Sequence, residues 1–413
     1  PLPALRAIEA APVEHEGETL ICLSDPDGIV NDQVVLSPTA FFVACLLNGT
    51  NGIVDIQYEF AKRTGGPILM SEEIRKLVEY LDEKGFLLTP RFQAIYEQTI
   101  EEFTQSSVRR PYFAGKSYPS EPEQARQFLE ELFVSKGGPG KRPHEVERTA
   151  EPVRALIVPH IDFARGGPTY AHGYLRMATA DGPETVLLFG VGHSAPPVPF
   201  VLTKKDFETP FGTLATNKSI VDRLAKACSW DPFEHELAHR AEHSIEFQTL
   251  MLAHLFGTAL RIVPILCGPM GRDGEPVSKP VELPDIQRVL DACLEIITES
   301  DGKVCVVAGG DLAHVGKRFG DSFDITPTVV RRMTARDRED LAFVTGLDPE
   351  GWYRSVMKDG NVRRVCGLNC IYATLKSIEG IARQGKLLHY AYARDPIGLS
   401  LIHISEPTRQ AEI

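Results

Sequence analysis

The chain has 413 residues, more than one ordinary core of about 100–200 residues uses, so two domains or one large α/β domain with an appendage are expected. At 43% hydrophobic, 24% charged and 8% aromatic it has a globular composition, which excludes wholesale disorder and fibrous repeats. The longest apolar run, residues 40–47, falls far short of the roughly 20 that cross a bilayer, and no basic-then-apolar signal opens the chain. A cytoplasmic protein without membrane contact is therefore expected. Eight scattered cysteines form no CxxC pair and read mostly as reduced core thiols. Of the net charge of −12, residues 1–105 hold −10, from seven Lys and Arg against seventeen Asp and Glu. That segment would repel a polyanion, so no nucleic-acid partner is expected.

Residues 20–23 and 34–36 are short apolar runs around the turn Asp25-Pro26-Asp27-Gly28 and predict a hairpin. Ser37-Pro38 supplies an N-cap and a first-turn proline for a helix from Thr39 to Leu47, which Asn48-Gly49 ends. A second helix is read over 53–63. Ser71 opens a third, with Ile74, Leu77, Val78 and Leu81 at helical spacing and Gly85 as its stop. Phe86-Leu87-Leu88 reads as a wing strand, which makes 1–105 a small α+β winged-helix domain. Residues 89–108 form a polar helical bridge.

From 106 to 399 the pattern changes to apolar strands alternating with helices. Candidate strands are 155–158, 186–189, 261–266 and 304–307, continuous runs of the kind that a parallel sheet buries on both faces. Residues 136–148 read as a loop. The last fourteen residues, SLIHISEPTRQAEI (400–413), read as the translation of a sequencing-library adapter and are set aside as a non-native tail.

Three of these strands end alike. Residues 155–158 run into Pro159-His160-Ile161-Asp162, 186–189 into Gly190-Val191-Gly192-His193-Ser194, and 304–307 into Gly309-Gly310-Asp311-Leu312-Ala313-His314. Ligand crevices of open parallel sheets lie beyond the carboxyl ends of the strands, so these imidazoles and the carboxylate are expected to converge, with glycine or proline letting the backbone turn. Glu242-His243-Ser244-Ile245-Glu246 opens a helix on which His243 and Glu246 share a face; the alternative is an acidic helix start favoured by the macrodipole. Cys366-Gly367-Leu368-Asn369-Cys370 precedes an apolar helix. Cys366 there is expected to have a lowered pKa, as a nucleophile or soft ligand, with core packing as the alternative; core packing is the expectation for Cys370. Two histidines and a thiolate suit Zn(II), Fe(II) or Cu, leaving Asp311, Glu242 and the remaining histidines as orienting or acid–base groups. His235 and His239, four apart in a charged stretch, read as a solvated face rather than a metal pair.

The segments FAGKSYPSEP (113–122), VPHIDFARGGPTYAHGY (158–174), FGVGHS (189–194), EHSIEFQ (242–248), GGDLAHVGKRFG (309–320) and VCGLN (365–369), in this order, resemble the Memo family, whose prokaryotic members are called AmmeMemoRadiSam system protein B. The resemblance covers about 109–399. It implies an α/β/α sandwich with a mainly parallel sheet, similar to the class III extradiol dioxygenases, and a divalent metal on His160, His193 and Cys366. Glu242, His243, Asp311 and His314 would line the same pocket. Fe(II) is the first expectation, with Cu or Zn as alternatives. The chain departs from the family in three places: Asp162 brings an extra carboxylate toward the metal, Asn369 replaces a histidine, and the family's closing strand is lost to the tail. Residues 1–105 resemble the winged modules of the PqqD type, which hold leader peptides beside radical-SAM enzymes.

The expected function is redox or oxygen-linked modification of a small molecule or peptide. His314 or His243 would move protons and Asp311 would fix a histidine tautomer, with radical-SAM and AMMECR-type proteins as partners. Two alternatives stand beside it: a non-enzymatic peptide- or metal-binding adaptor, and a hydrolase with Cys366 as nucleophile and His314 as base.

Overall fold

A computed structural model describes residues 1–15, 17–66, 68–148, 152–180, 182–194, 198–272, 275–277, 279–394 and 400–407, with 272, 275 and 400–407 described by their backbone. The chain divides into two compact units, Pro1–Ser106 and Ser107–Ile413.

In the first unit Glu18–Ser24 pairs antiparallel with Val34–Leu36, Leu23 opposite Val34, as the turn signal predicts. Its other edge takes Glu9–His15, a strand that sequence reading missed because almost every side chain in it is exposed and no apolar pattern marks it. The Ser37 hydroxyl accepts from the Ala40 amide at 3.2 Å and caps helix Pro38–Cys45. Helices Ile53–Thr64, Ser71–Glu83 and Pro90–Gln105 follow. Ile56, Phe60, Ile74 and Leu81 share one apolar cluster with Leu23 and Val34. The wing expected at 86–88 is absent: Phe86 and Leu87 are fully buried, and Leu87 makes only an isolated bridge to Leu5. Two large apolar side chains in sequence serve this small core better than an exposed ribbon.

In the second unit eight strands form one sheet. Its order is Val108–Arg109, Asp206–Thr209, Gly212–Thr216, Arg261–Cys267, Thr185–Val191, Val304–Gly309, Ala155–Val158, with Phe200–Leu202 antiparallel to Arg261–Cys267. The four apolar runs are mutually parallel, Leu187 standing opposite both Val263 and Val306 and Leu156 opposite Val307. Strand alternation then sorts their side chains into two layers. Ile157, Leu187, Phe189, Val263, Ile265 and Val306 join a core with residues of helices Lys218–Ala227, Pro284–Glu299, Pro349–Met357 and Leu368–Ser377. Leu156, Val158, Val186, Leu188, Ile262 and Val307 join another with Pro122–Val134, Phe163–Ala178 and His243–Phe256. The result is the α/β/α sandwich with a mostly parallel sheet that the sequence predicts.

Within the stretch set aside as a non-native tail, the backbone of Ser400–Pro407 forms a strand between His314–Gly316 and Leu387–Arg394; residues 408–413 lie outside the described ones. Main-chain pairing accepts many sequences, so this strand carries no information about the origin of the segment.

Candidate metal centre

The carboxyl ends of Ala155–Val158, Thr185–Val191 and Val304–Gly309 lie side by side in the sheet, and three glycines let other elements close on them. A Cβ at Gly190 would stand 2.5 Å from the Ser244 hydroxyl, one at Gly309 2.4 Å from the Ser244 carbonyl oxygen, and one at Gly310 2.6 Å from the Cys370 sulfur. Their service is close approach rather than the sharp turn expected from sequence, since none has a positive φ. The start of helix His243–Phe256 and the 366–370 turn are thereby drawn onto the strand ends.

His160 is 2% exposed, and its Nδ1 lies 2.9 Å from the Gly309 carbonyl oxygen, which can only accept. Nδ1 therefore carries the proton and Nε2 the lone pair. That Nε2 lies 3.2 Å from the Cys366 sulfur and 3.6 Å from an Asp311 oxygen. Asp311 also accepts from the His160 amide at 3.0 Å, so one carboxylate holds the loop that delivers the ring. His193 repeats the pattern: its Nδ1 stands 3.0 Å and 3.1 Å from the two oxygens of Glu242, which also takes the His193 amide at 3.0 Å. In His314, Nδ1 is 2.9 Å from the Leu312 carbonyl and 3.0 Å from that of Arg364. Three imidazoles are thus set in one tautomer, each leaving Nε2 as an acceptor.

Burial, with the His193 ring as the next cause, holds His160 down to about 3, and burial brings His243 down to about 3 as well. Burial also lowers His314. Glu242 is pulled the other way: burial would raise it, but His193, a hydrogen bond from that ring, His243 and the Ser244 amide together keep it well below the usual carboxylate range. Burial lifts Asp311 to about 6. The Cys366 thiol is raised well above its ordinary value by burial and then by Asp311. This corrects the lowered pKa expected from sequence: helix Leu368–Ser377 starts two residues later, and the half-buried Cys366 turns its sulfur to His160 Nε2 at 3.2 Å.

Two overlapping groups of three have donor atoms within 4.8 Å of one another, His160 with His193 and His243, and His160 with Asp311 and Cys366. All seven residues singled out from sequence lie around the same strand ends, with His160 common to both groups. Asp162 does not join them. It caps helix Phe163–Ala178, accepting from the Arg165 amide at 3.1 Å and from Arg165 Nε at 2.6 Å. His239 is not on a solvated face; it is 1% exposed, with Nε2 3.1 Å from the Val201 carbonyl. Asn369 donates to the Gly268 carbonyl at 2.9 Å, and its buried Oδ1 has no partner among the described residues. Cys370 is buried in the core, as expected.

Sequence reading missed the clamp beneath the site. Arg109 and Glu246, each 1% exposed at the side chain, form an ion pair. Glu246 also accepts from the Tyr112 and Phe113 amides at 2.9 and 2.8 Å and from the Tyr118 hydroxyl at 2.6 Å. Arg109 in turn donates to the carbonyls of His239 and Glu242. Glu246 ties segment 109–118 to the helix that starts with His243; it does not face the chemistry.

Among curated proteins, a MEMO1 family protein of Aquifex aeolicus is 29% identical over 371 residues, 89% of each chain, a span that necessarily takes in part of the first unit. One of Thermus thermophilus is 28% identical over 81% of this chain and 91% of its own, and one of Methanopyrus kandleri 28% over 70% and 94%. A crystal structure of an uncharacterised Escherichia coli protein matches 62% of this chain and 99% of its own at 15% identity, with a TM-score of 0.33. The family model described as Memo-like protein matches residues 109–400, which holds every residue of the site, and the chain belongs to that family.

Proposed function

We propose that the second unit is a metal-dependent protein in which His160, His193 and Cys366 hold a divalent metal, Fe(II) first and Cu or Zn as alternatives, for redox or oxygen-linked modification of a small molecule or peptide. The observation that carries this reading is the shared tautomer: each imidazole commits Nδ1 to a protein acceptor and keeps a neutral Nε2 lone pair, which in His160 lies 3.2 Å from the Cys366 sulfur. Such a donor set fits a borderline or soft divalent ion. A bound metal would supply Lewis acidity and, if redox-active, a route for electrons. The chain's own residues do the rest. Glu242 orients His193, Asp311 fixes the loop carrying His160, and His314, held by two carbonyls, offers Nε2 to take or return a proton at a bound substrate. At 38% side-chain exposure His193 marks the open side through which metal and substrate enter. Anaerobic purification followed by metal analysis tests the reading: about one metal per chain is expected, lost in Cys366→Ser, and background metal in both proteins would reject it.

The hydrolase alternative is disfavoured, because the Cys366 thiol faces His160 Nε2 instead of His314 and its pKa is raised. One observation favours a recognition role for the first unit, with a peptide or radical-SAM and AMMECR-type proteins as partners. Among the described residues, seven of the nine exposed large apolar side chains lie in it, Val54, Tyr58, Ile68 and Met70 among them. Oxygen consumption or turnover by the iron-loaded chain separates enzyme from adaptor.

A further inference from the structure

Two consecutive arginines precede the Cys366 turn, and their side chains end on different elements. Arg363 is anchored in the core: Nη1 donates to Asp337 Oδ1 at 2.7 Å and Nη2 pairs with Asp340, both carboxylates lying 1% exposed on helix Pro327–Thr345. Arg364 takes a single, less buried carboxylate. Its Nη2 lies 2.8 Å from one Asp321 oxygen and its Nη1 3.1 Å from the other, a two-pronged pair at 39% and 16% side-chain exposure. The backbone between the two anchors is turned, with Arg364 at a φ of +52°, in the left-handed region that a Cβ disfavours. Such a conformation persists only where its surroundings hold it.

What the two residues hold converges on His314. The Arg363 carbonyl accepts the His314 amide at 2.7 Å, the Arg364 carbonyl stands 3.0 Å from its Nδ1, and Arg364 Nη1 donates to the His314 carbonyl at 3.0 Å. Asp321 ties the same loop from its far end by accepting the Gly316 amide at 2.8 Å. The Leu312 carbonyl, 2.9 Å from Nδ1, lies two residues from the ring and moves with its loop. The Arg364 carbonyl comes from 50 positions away and fixes the ring against a second segment.

We propose that Arg364, through its pair with Asp321, is the positioning residue of His314. It holds the 361–366 turn in the left-handed conformation that presents the Arg364 carbonyl to Nδ1, and so keeps the ring proton there and the lone pair on Nε2. Without the guanidinium the turn relaxes and that carbonyl leaves the ring, so the two tautomers come closer in free energy. The proton-carrying role of His314 rests on the function proposed above; its tautomer and the cause of it do not.

Nitrogen-15 NMR of the histidine-labelled, chelator-treated chain tests this, with His314 assigned by the signals lost in His314→Gln. The parent should show two well-separated His314 ring nitrogens with the proton on Nδ1. His239, whose Nε2 faces the Val201 carbonyl at 3.1 Å, is the reference, with its proton on Nε2. Arg364→Gln and Asp321→Asn should each draw the two His314 signals toward one another and leave those of His239 in place. A parent His314 with its proton on Nε2, or His314 signals unmoved in both variants, would overturn the inference. A residue that served folding alone would disturb His239 as well. If Arg364→Gln does so, Asp321→Asn decides, because it keeps an acceptor for the Gly316 amide; movement of both histidines there too would overturn the inference. Background metal in the purified parent would reject the metal reading and leave these signals to decide the placement of His314 by themselves.

Discussion

Cys366 enters the site protonated, since burial and Asp311 raise its thiol well above the ordinary value. Metals take the thiolate, so loading must expel that proton, whereas His160, held near 3, has none to lose. Zinc affinity should therefore rise about tenfold per pH unit between about pH 6 and 8 and become flat, and weaker, in Cys366→Ser. Chelator competition measures both, and a flat profile in the parent would place the thiol outside the donor set. His239 makes a separate claim on pH. Burial lowers it from 6.5 to about 3, so the folded state refuses a proton that the unfolded chain accepts. Its contribution is full above pH 6.5 and is lost as pH falls toward 3, at about 1.4 kcal/mol per pH unit. His239→Gln should flatten the acid side of the stability profile by that amount in urea unfolding between about pH 6 and 4; an unchanged slope would contradict the burial. Both cases show the limits of local reading. His160, His193 and Asp311 were legible because apolar strands end in glycine or proline just before them. Asp162 was not, because an Asp between strand and helix satisfies the pattern of a ligand and of an N-cap alike, and only the position of Arg165 decides.

At the level of elements, the four central strands were legible because β-branched runs buried on both faces have few other uses. The hairpin Asp206–Thr209 with Gly212–Thr216 and the two-residue strand Val108–Arg109 are too polar or too short to stand out. The contact that joins Arg109 to helix His243–Phe256 spans 137 positions, and no local pattern couples its two ends. Glu246→Gln should nevertheless be among the costliest single changes, because it leaves the Arg109 guanidinium buried without a counter-charge, a loss of about 3–5 kcal/mol. The double variant Arg109→Met with Glu246→Leu should recover part of this, since no uncompensated charge remains, while the Tyr112 and Phe113 amides still lack their acceptor. Urea midpoints of the single and double variants measure the difference; a double variant no better than Glu246→Gln would show that the amide bonds, not the charge pair, hold the segment.

Across the whole molecule the charge is unevenly shared. Residues 1–105 carry −10 of the total of −12, which leaves −2 for the remaining three quarters of the chain. Self-repulsion grows with the square of net charge and falls with size, so it bears almost wholly on the first unit. That unit has its own apolar cluster, including Leu23, Ile56, Ile74 and Phe86, and the second unit has separate cores on the two faces of its sheet. Each should unfold with its own cooperative transition. Screening lengths shrink from about 30 Å at 0.01 M salt to about 8 Å at 0.15 M, so added salt should raise the first unit's Tm and move the second's little. Zinc held by the proposed ligands His160, His193 and Cys366, all in the second unit, should raise that transition alone, by mass action. Calorimetry across salt and zinc therefore labels the two transitions independently. One transition that answers to both additions would mean that the units unfold as a single cooperative body, and that the acidic segment is stabilised by the domain that carries the site.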